Sequence, residues 1–181
     1  MPLRLPEVVL AKKDGTLRMS VYWQLNQMTI KDAFPPPRID EIFTSRDNAY
    51  CFDQCDLIMG YHQMAVREED RKKIAFITQK GLYLFNLMPY RLCNEPATFQ
   101  RLMDGNFLYQ IGRDPAAYLD DLLMYALRLS ELLRILHRTL VKLIDADKKC
   151  KPRKCHLFLD SIPYLQHIMK EWQIATDHSK L

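Results

Sequence analysis

The apolar run Val8 to Ala11 leading into Lys12 and Lys13, and the run Leu17 to Trp23, are strand-like and are separated by Asp14-Gly15, which predicts a basic β-hairpin. Pro35, Pro36 and Pro37 impose an extended segment, and apolar residues at positions 39, 42 and 43 then predict a short helix over Ile39 to Arg46. Strands are predicted at Tyr50 to Leu57, Ile74 to Thr78 and Leu82 to Leu87, the last two meeting at Lys80 and Gly81. Pro96 suits a first helical turn, with Asn94 as cap and Ala97 to Phe107 as body. Ala116 to Leu127 is apolar apart from Asp120 and Asp121, so it reads as two buried strands joined at a carboxylate pair. The longest predicted helix carries Leu129, Leu132, Leu133, Leu136, Leu140, Leu143 and Ile144 on one face and is stopped by Pro152. Cys155 to Leu159 and Tyr164 to Met169 would close the chain as a hairpin around Ser161 to Pro163. Strands interrupted by a few helices, without strict alternation, indicate an α+β fold with a mainly antiparallel sheet and helices on one face.

Composition narrows the chemistry. At 181 residues, 48% hydrophobic and 27% charged, the chain suits a single globular domain with its own core. Its five glycines are too scattered for a G-x-G-x-x-G turn or a phosphate-binding P-loop. No run is long enough to span a membrane and no apolar signal core follows Met1, so no membrane partner and an intracellular location are expected. The net charge of +4 is modest, but five of the seven residues from Lys148 to Lys154 are basic, and Lys12, Lys13 and Arg18 lie close together. Such runs serve either as solvated surface or as contacts to nucleic-acid phosphates. The five cysteines form an odd set, which favours reduced thiols. Cys51 with Cys55 and Cys150 with Cys155, followed by His156, fit zinc spacings only loosely, and no zinc site is expected.

Two adjacent aspartates inside Tyr118-Leu119-Asp120-Asp121-Leu122-Leu123-Met124 need compensation, because desolvating paired anions costs several kcal/mol. A surface turn is one solution and a divalent cation is the other. Nucleotidyl transfer calls for about three such carboxylates around two ions. Asp56, at the end of a predicted strand, is available as the third.

The segment Asp56-Leu57-Ile58-Met59-Gly60-Tyr61-His62-Gln63, then Met88-Pro89, then Glu95-Pro96-Ala97-Thr98-Phe99-Gln100-Arg101-Leu102-Met103, then Tyr118-Leu119-Asp120-Asp121, resembles the reverse transcriptase domain of gypsy-type LTR retrotransposon Pol polyproteins. Val8 to Arg18, Lys154-Cys155 and Tyr164-Leu165-Gln166-His167 extend the resemblance over nearly the whole chain. The order of the motifs makes a chance match improbable. It implies a right-hand polymerase with the thumb absent. Fingers would be mainly 1–48 and 72–92, and an antiparallel palm sheet backed by helices mainly 49–71 and 93–181, all within one domain.

The implied activity is RNA-directed DNA polymerisation, a nucleotidyltransferase adding dNTPs to a primer on an RNA or DNA template. Asp56, Asp120 and Asp121 would be catalytic. Asp56, Leu57, Asp120 and Asp121 would hold two Mg2+ ions, with Mn2+ as a substitute. Lys12, Lys13, Arg18, Met59, Gly60, Tyr61 and Tyr90 would contact the nucleotide, Tyr61 as the aromatic gate against a 2′-hydroxyl. Thumb, RNase H and integrase regions would belong to a larger polyprotein. The location would be cytoplasmic, including virus-like particles, with the nucleus as an alternative. Arg91 and Gln166 stand where the family usually has glycine, Glu95 where it has a small residue, and Pro115 enters the strand that delivers Asp120, where a ladder donor would be lost. The alternatives are a decayed palm-fold relic that at most binds nucleic acid, and an interaction module whose acidic pair is only a turn.

Overall fold

The computed structural model describes residues 5–6, 9–11, 17–19, 22–35, 37–38, 42, 49–107, 115–170 and 173–176. In chain order the strands are β1 (Leu5–Pro6), β2 (Val9–Ala11), β3 (Leu17–Met19), β4 (Cys51–Asp56), β5 (Phe76–Thr78), β6 (Gly81–Tyr83), β7 (Ala116–Tyr118), β8 (Asp121–Ala126), β9 (His156–Leu159), β10 (Ser161–Tyr164), β11 (His167–Lys170) and β12 (Gln173–Thr176). The chain forms two compact units, 1–34 with 59–99 and 35–58 with 100–181. That division crosses the expected fingers and palm boundaries at 35–48, 59–71 and 93–99.

In the first unit β2 and β3 pair antiparallel, as the hairpin pattern requires, although the Asp14-Gly15 turn lies outside the described residues. Of the strand expected to reach Trp23, Leu17–Met19 is described as β3, and Trp23–Met28 is a helix. Tertiary packing decides this, because helical spacing brings Tyr22 and Leu25 onto one cluster with Ile74, Val66, Phe85 and Leu92. A second sheet runs β1-β5-β6, with β1 parallel to β5 and β5 antiparallel to β6. Both hairpin strands are shorter than expected: Lys72–Ile74 is a 3-10 turn, and Leu84 to Leu87 leaves the sheet apart from a bridge between Leu87 and Ala65. Gly81 at φ 132° adopts a conformation that side-chain-bearing residues rarely reach.

The second unit is built on an antiparallel sheet of order β7-β8-β4-β9. Leu122 to Ala126 are all buried, because both faces of β8 are covered. Leu123 and Tyr125 meet Phe52 of β4 and Ile162, Tyr164 and Met169 of the β10-β11-β12 meander. The helix Leu129–Asp145 packs on β8 and β4. Its buried face is Leu132, Ile135, Leu136, Thr139 and Leu143, whereas Leu129, Leu133, Leu140 and Ile144 of the expected stripe are exposed.

That helix ends at Asp145, before Pro152. The Lys148 N–H reaches the Leu143 carbonyl at 2.8 Å and the Asp147 N–H reaches Ile144 at 3.0 Å, with Asp147 left-handed. These two bonds cap the helix, and Pro152 instead opens a 3-10 turn. The expected closing hairpin is also corrected. β9 pairs with β4, and β10 pairs with β11 around Leu165 and Gln166, both at positive φ. Gln166 and Arg91 (φ 74°) therefore occupy left-handed positions where the family's glycine would be unstrained. Pro115 precedes β7 and removes no ladder donor within it. Of the predicted helix at 39–46 only Ile42 is described, and it is buried.

Between Phe52 and Gln54 the β4–β9 register shifts by one residue, so Asp53 faces an extra residue on β9. Fully buried Asp53 accepts the Phe158 N–H at 2.6 Å, satisfying a donor that the bulge leaves out of the ladder. Burial pushes its carboxyl up, and the Phe158 bond only partly opposes this. A carboxyl raised in the fold binds protons more tightly there than when unfolded. Its contribution is complete below about pH 3.9 and is lost as pH rises through the folded value. Melting temperatures of Asp53→Asn and the parent, compared from pH 4 to 7, should shift in favour of the variant as pH rises. A constant difference would mean that folding does not raise the Asp53 carboxyl.

Candidate active site

β4 and β8 pair in register from Cys51 opposite Ala126 to Asp56 opposite Asp121. The strand period thus delivers Asp56 and Asp121 to the same end of the sheet. Asp120 enters from the two-residue turn between β7 and β8, where Tyr118 pairs with Asp121 and Leu119 is left-handed at φ 53°. The Leu57 N–H donates to the Asp120 carbonyl at 2.8 Å, tying the β4 end to this turn, and Leu57 itself is buried.

Gln100, buried on the helix Glu95–Asn106, fixes the turn from beneath. Its Nε2 donates to the Ala117 carbonyl at 3.0 Å and to Asp104 at 2.8 Å, and its Oε1 accepts the Leu119 N–H at 2.9 Å. Gln100→Leu would leave a buried carbonyl and a half-buried N–H without these partners, a loss of about 2–3 kcal/mol. The expected fall in Tm is about 4–12 °C by thermal melting. A change within about 1 °C would show that the turn holds itself.

Desolvation first, and then the neighbouring anions, push the Asp120 and Asp121 carboxyls up. Asp56 adds repulsion to both, and Asp120 adds it to Asp121. Three contacts oppose this: Asp120 is bonded by its own backbone, the Gln54 amide donates to Asp121 Oδ1 at 3.2 Å, and Lys154 Nζ lies 2.7 Å from Asp56 Oδ2. Lys154 is held up by that bond and is attracted by all three aspartates. One partly exposed ammonium against three carboxylates leaves the cluster short of positive charge. Clustered oxygen donors short of positive charge are the setting in which hard divalent cations bind.

The structure therefore brings Asp56, Asp120 and Asp121 together, with Leu57 beside them. Met59, Gly60, Tyr61 and Tyr90 gather in the other unit. Met59 is left-handed at φ 50° and opens the 3-10 turn Gly60–Gln63. Tyr61 packs edge-on against Tyr90, with centroids 5.7 Å apart, and against Phe99 at 5.1 Å. Tyr90 also meets the His62 ring at 4.5 Å, and His62 Nδ1 is 2.7 Å from the Met88 carbonyl. Lys12 and Lys13 lie outside the described residues, and Arg18 is described only through its backbone place on β3, opposite Leu10.

Asn94 takes the expected cap position, its carbonyl accepting the Thr98 N–H at 2.9 Å, but its side chain is used elsewhere. Its carboxamide donates to the Ile30 carbonyl at 2.8 Å and accepts the Asp32 N–H at 3.0 Å, while Glu95 accepts the Leu92 N–H at 3.1 Å. Glu95 thereby closes the turn ahead of its own helix. Sequence reasoning missed Gln100, Gln54 and the Lys154 contact. A buried-face glutamine between Phe99 and Met103 was the available signal for Gln100; nothing local signalled Lys154, 98 residues from Asp56.

Comparison with known proteins agrees with this geometry. The chain is 36% identical over 148 residues to the retrovirus-related Pol polyprotein from transposon 297 of Drosophila melanogaster, covering 82% of this chain and 14% of that protein. To the polyprotein from transposon gypsy of the same species it is 34% identical over 158 residues, 87% of this chain and 15% of that protein. It thus spans about one seventh of the length of these curated relatives. A foamy viral protease-reverse transcriptase solved in complex with double-stranded DNA matches 98% of this chain and 31% of its own, with a TM-score of 0.88 at 18% identity. The same viral protein with an RNA/DNA hybrid gives a TM-score of 0.86 over 98% of this chain and 24% of its own, again at 18% identity. The fold is therefore that of part of the viral protein, an α+β fingers-and-palm fold. The model of the reverse transcriptase (RNA-dependent DNA polymerase) family matches residues 10–169, and the chain belongs to that family.

Proposed function

We propose that this chain is the fingers and palm of an RNA-directed DNA polymerase that adds deoxynucleotides to a primer on an RNA or DNA template. The observation that carries the reading is the convergence of Asp56, Asp120 and Asp121 at one end of the β4–β8 ladder, in a chain of this family. Mg2+, or Mn2+ in its place, bound by these carboxylates and the Leu57 backbone would supply activation of the primer 3′-hydroxyl and stabilisation of departing pyrophosphate.

The chain's own residues do the positioning. Lys154 fixes the Asp56 carboxylate, Gln54 orients Asp121, and Gln100 holds the turn that presents Asp120. Backbone amides of Met59 and Gly60, together with Lys12, Lys13 and Arg18, would face the triphosphate. Tyr61, buttressed by Tyr90 and Phe99, would exclude a 2′-hydroxyl. Exposed Lys151 and Arg153 offer charge to nucleic-acid phosphates, and the DNA and RNA/DNA complexes of the similar viral protein support such a partner. In the cell the reading places this segment within a larger polyprotein, in cytoplasm or virus-like particles.

The test is extension of a labelled primer on RNA and on DNA templates with Mg2+ or Mn2+. Metal-dependent incorporation of dNTPs on both templates is expected. Template binding without any incorporation would favour the decayed relic instead.

A further inference from the structure

Three of the five cysteines meet in the second unit. Cys55 is buried on β4, and Cys150 and Cys155 flank the loop that carries Lys154. Their sulfur atoms all lie within 4.8 Å of one another, close enough for the three to share one ion. The sequence spacing suggested other pairings. Residues four apart on a strand share a face but are separated by about 13 Å, so Cys51 and Cys55 cannot share an ion. Cys51 instead donates to the Ala126 carbonyl at 3.2 Å, and Cys93, in the other unit, contacts Asn94 at 3.3 Å.

The cluster is held by backbone on every side. Leu57 and Cys150 form an antiparallel bridge, the Lys151 N–H donates to the Asp56 carbonyl at 2.8 Å, and the Cys155 N–H donates to Pro152 at 3.1 Å. The Cys155 thiol reaches the Lys151 carbonyl at 3.4 Å. Three sulfur donors on such a frame are selective. Thiolates prefer Zn2+ over the hard Mg2+ that carboxylates take. A tetrahedral zinc with Zn–S bonds of about 2.3 Å separates its sulfurs by about 3.8 Å, so the cluster need contract by only about 1 Å to bind.

We propose that Cys55, Cys150 and Cys155 form a zinc site, distinct in ligand chemistry from the aspartate cluster, with the fourth position left to water. On binding, each S–H that becomes a ligand gives its proton to solvent and its sulfur pair to the metal. The ion ties the 150–155 loop to β4 and so steadies Lys154 against Asp56.

The full chain, stripped of metal with a chelator and kept reduced by a phosphine, is titrated with ZnCl2 in the presence of millimolar Mg2+. Expected are one equivalent bound, protection of three of the five thiols from a thiol reagent, and a rise in Tm. Co2+ in place of Zn2+ should show thiolate charge-transfer absorption. Cys150→Ser and, separately, Cys155→Ser, both only half-buried, should weaken binding at least about 100-fold, while Cys51→Ser and Asp121→Asn bind as the parent does. No zinc binding resistant to Mg2+, unchanged protection in both loop variants, or equal loss in Asp121→Asn would overturn the proposal.

Discussion

Asp121→Asn is expected to abolish primer extension and, at the same time, to make the cation-free chain more stable. The two effects have one origin. Asp121 lies where desolvation and the charges of Asp120 and Asp56 all disfavour its anion, so removing the charge relieves the metal-free fold. The same charge would be needed to hold the cations, and losing several kcal/mol of transition-state stabilisation corresponds to a rate loss of about 10³-fold or more. Because Asn keeps the shape and can still accept the Gln54 amide, misfolding does not explain such a loss. Single-turnover incorporation and thermal melting in chelator report the two halves separately. A variant that is both inactive and less stable would assign Asp121 a structural role in the β4–β8 ladder.

Tyr61→Val should raise ribonucleotide incorporation relative to deoxyribonucleotide by about 10- to 100-fold. The ring is held in place by Tyr90 and Phe99, so it is a fixed wall, and steric discrimination of one small group is worth about 1–3 kcal/mol. Competition between rNTP and dNTP at a single template position measures the ratio. If overall rate falls while the ratio holds, Tyr61 packs the first unit and gates nothing.

Much of the site's framework is legible in the sequence because it is local. Ala116 to Ala126 can only be two strands about a polar turn, and the turn itself carries Asp120. The pairing of Asp56 with Asp121 follows once both strands are drawn, since the strand period fixes which side chains share an end. What escaped is long-range. Trp23 sits in a helix because Tyr22 and Leu25 find a cluster formed by residues 66, 74, 85 and 92. The buried stripe of Leu129–Asp145 is rotated from the leucine pattern because Ile135 and Thr139 face the sheet while Leu133 and Leu140 do not. The closing strands were misassigned because Gln166 takes a left-handed turn that its side chain does not advertise. The thiol cluster was invisible for a related reason, since neither Cys51-x3-Cys55 nor Cys150-x4-Cys155 shows that β4 pairs beside the 150–155 loop.

The central claim is that Asp56, Asp120 and Asp121 act as one divalent-cation site, and calorimetric titration with Mn2+ tests it most directly. Parent chain, Asp56→Asn, Asp120→Asn and Asp121→Asn are compared with Asp70→Asn, whose carboxylate belongs to the other unit and pairs with Lys73. Saturable Mn2+ binding in the parent and in Asp70→Asn, weakened at least about tenfold in each of the three cluster variants, is the predicted result. Equal binding in all five proteins, or no saturable binding in the parent, would contradict it.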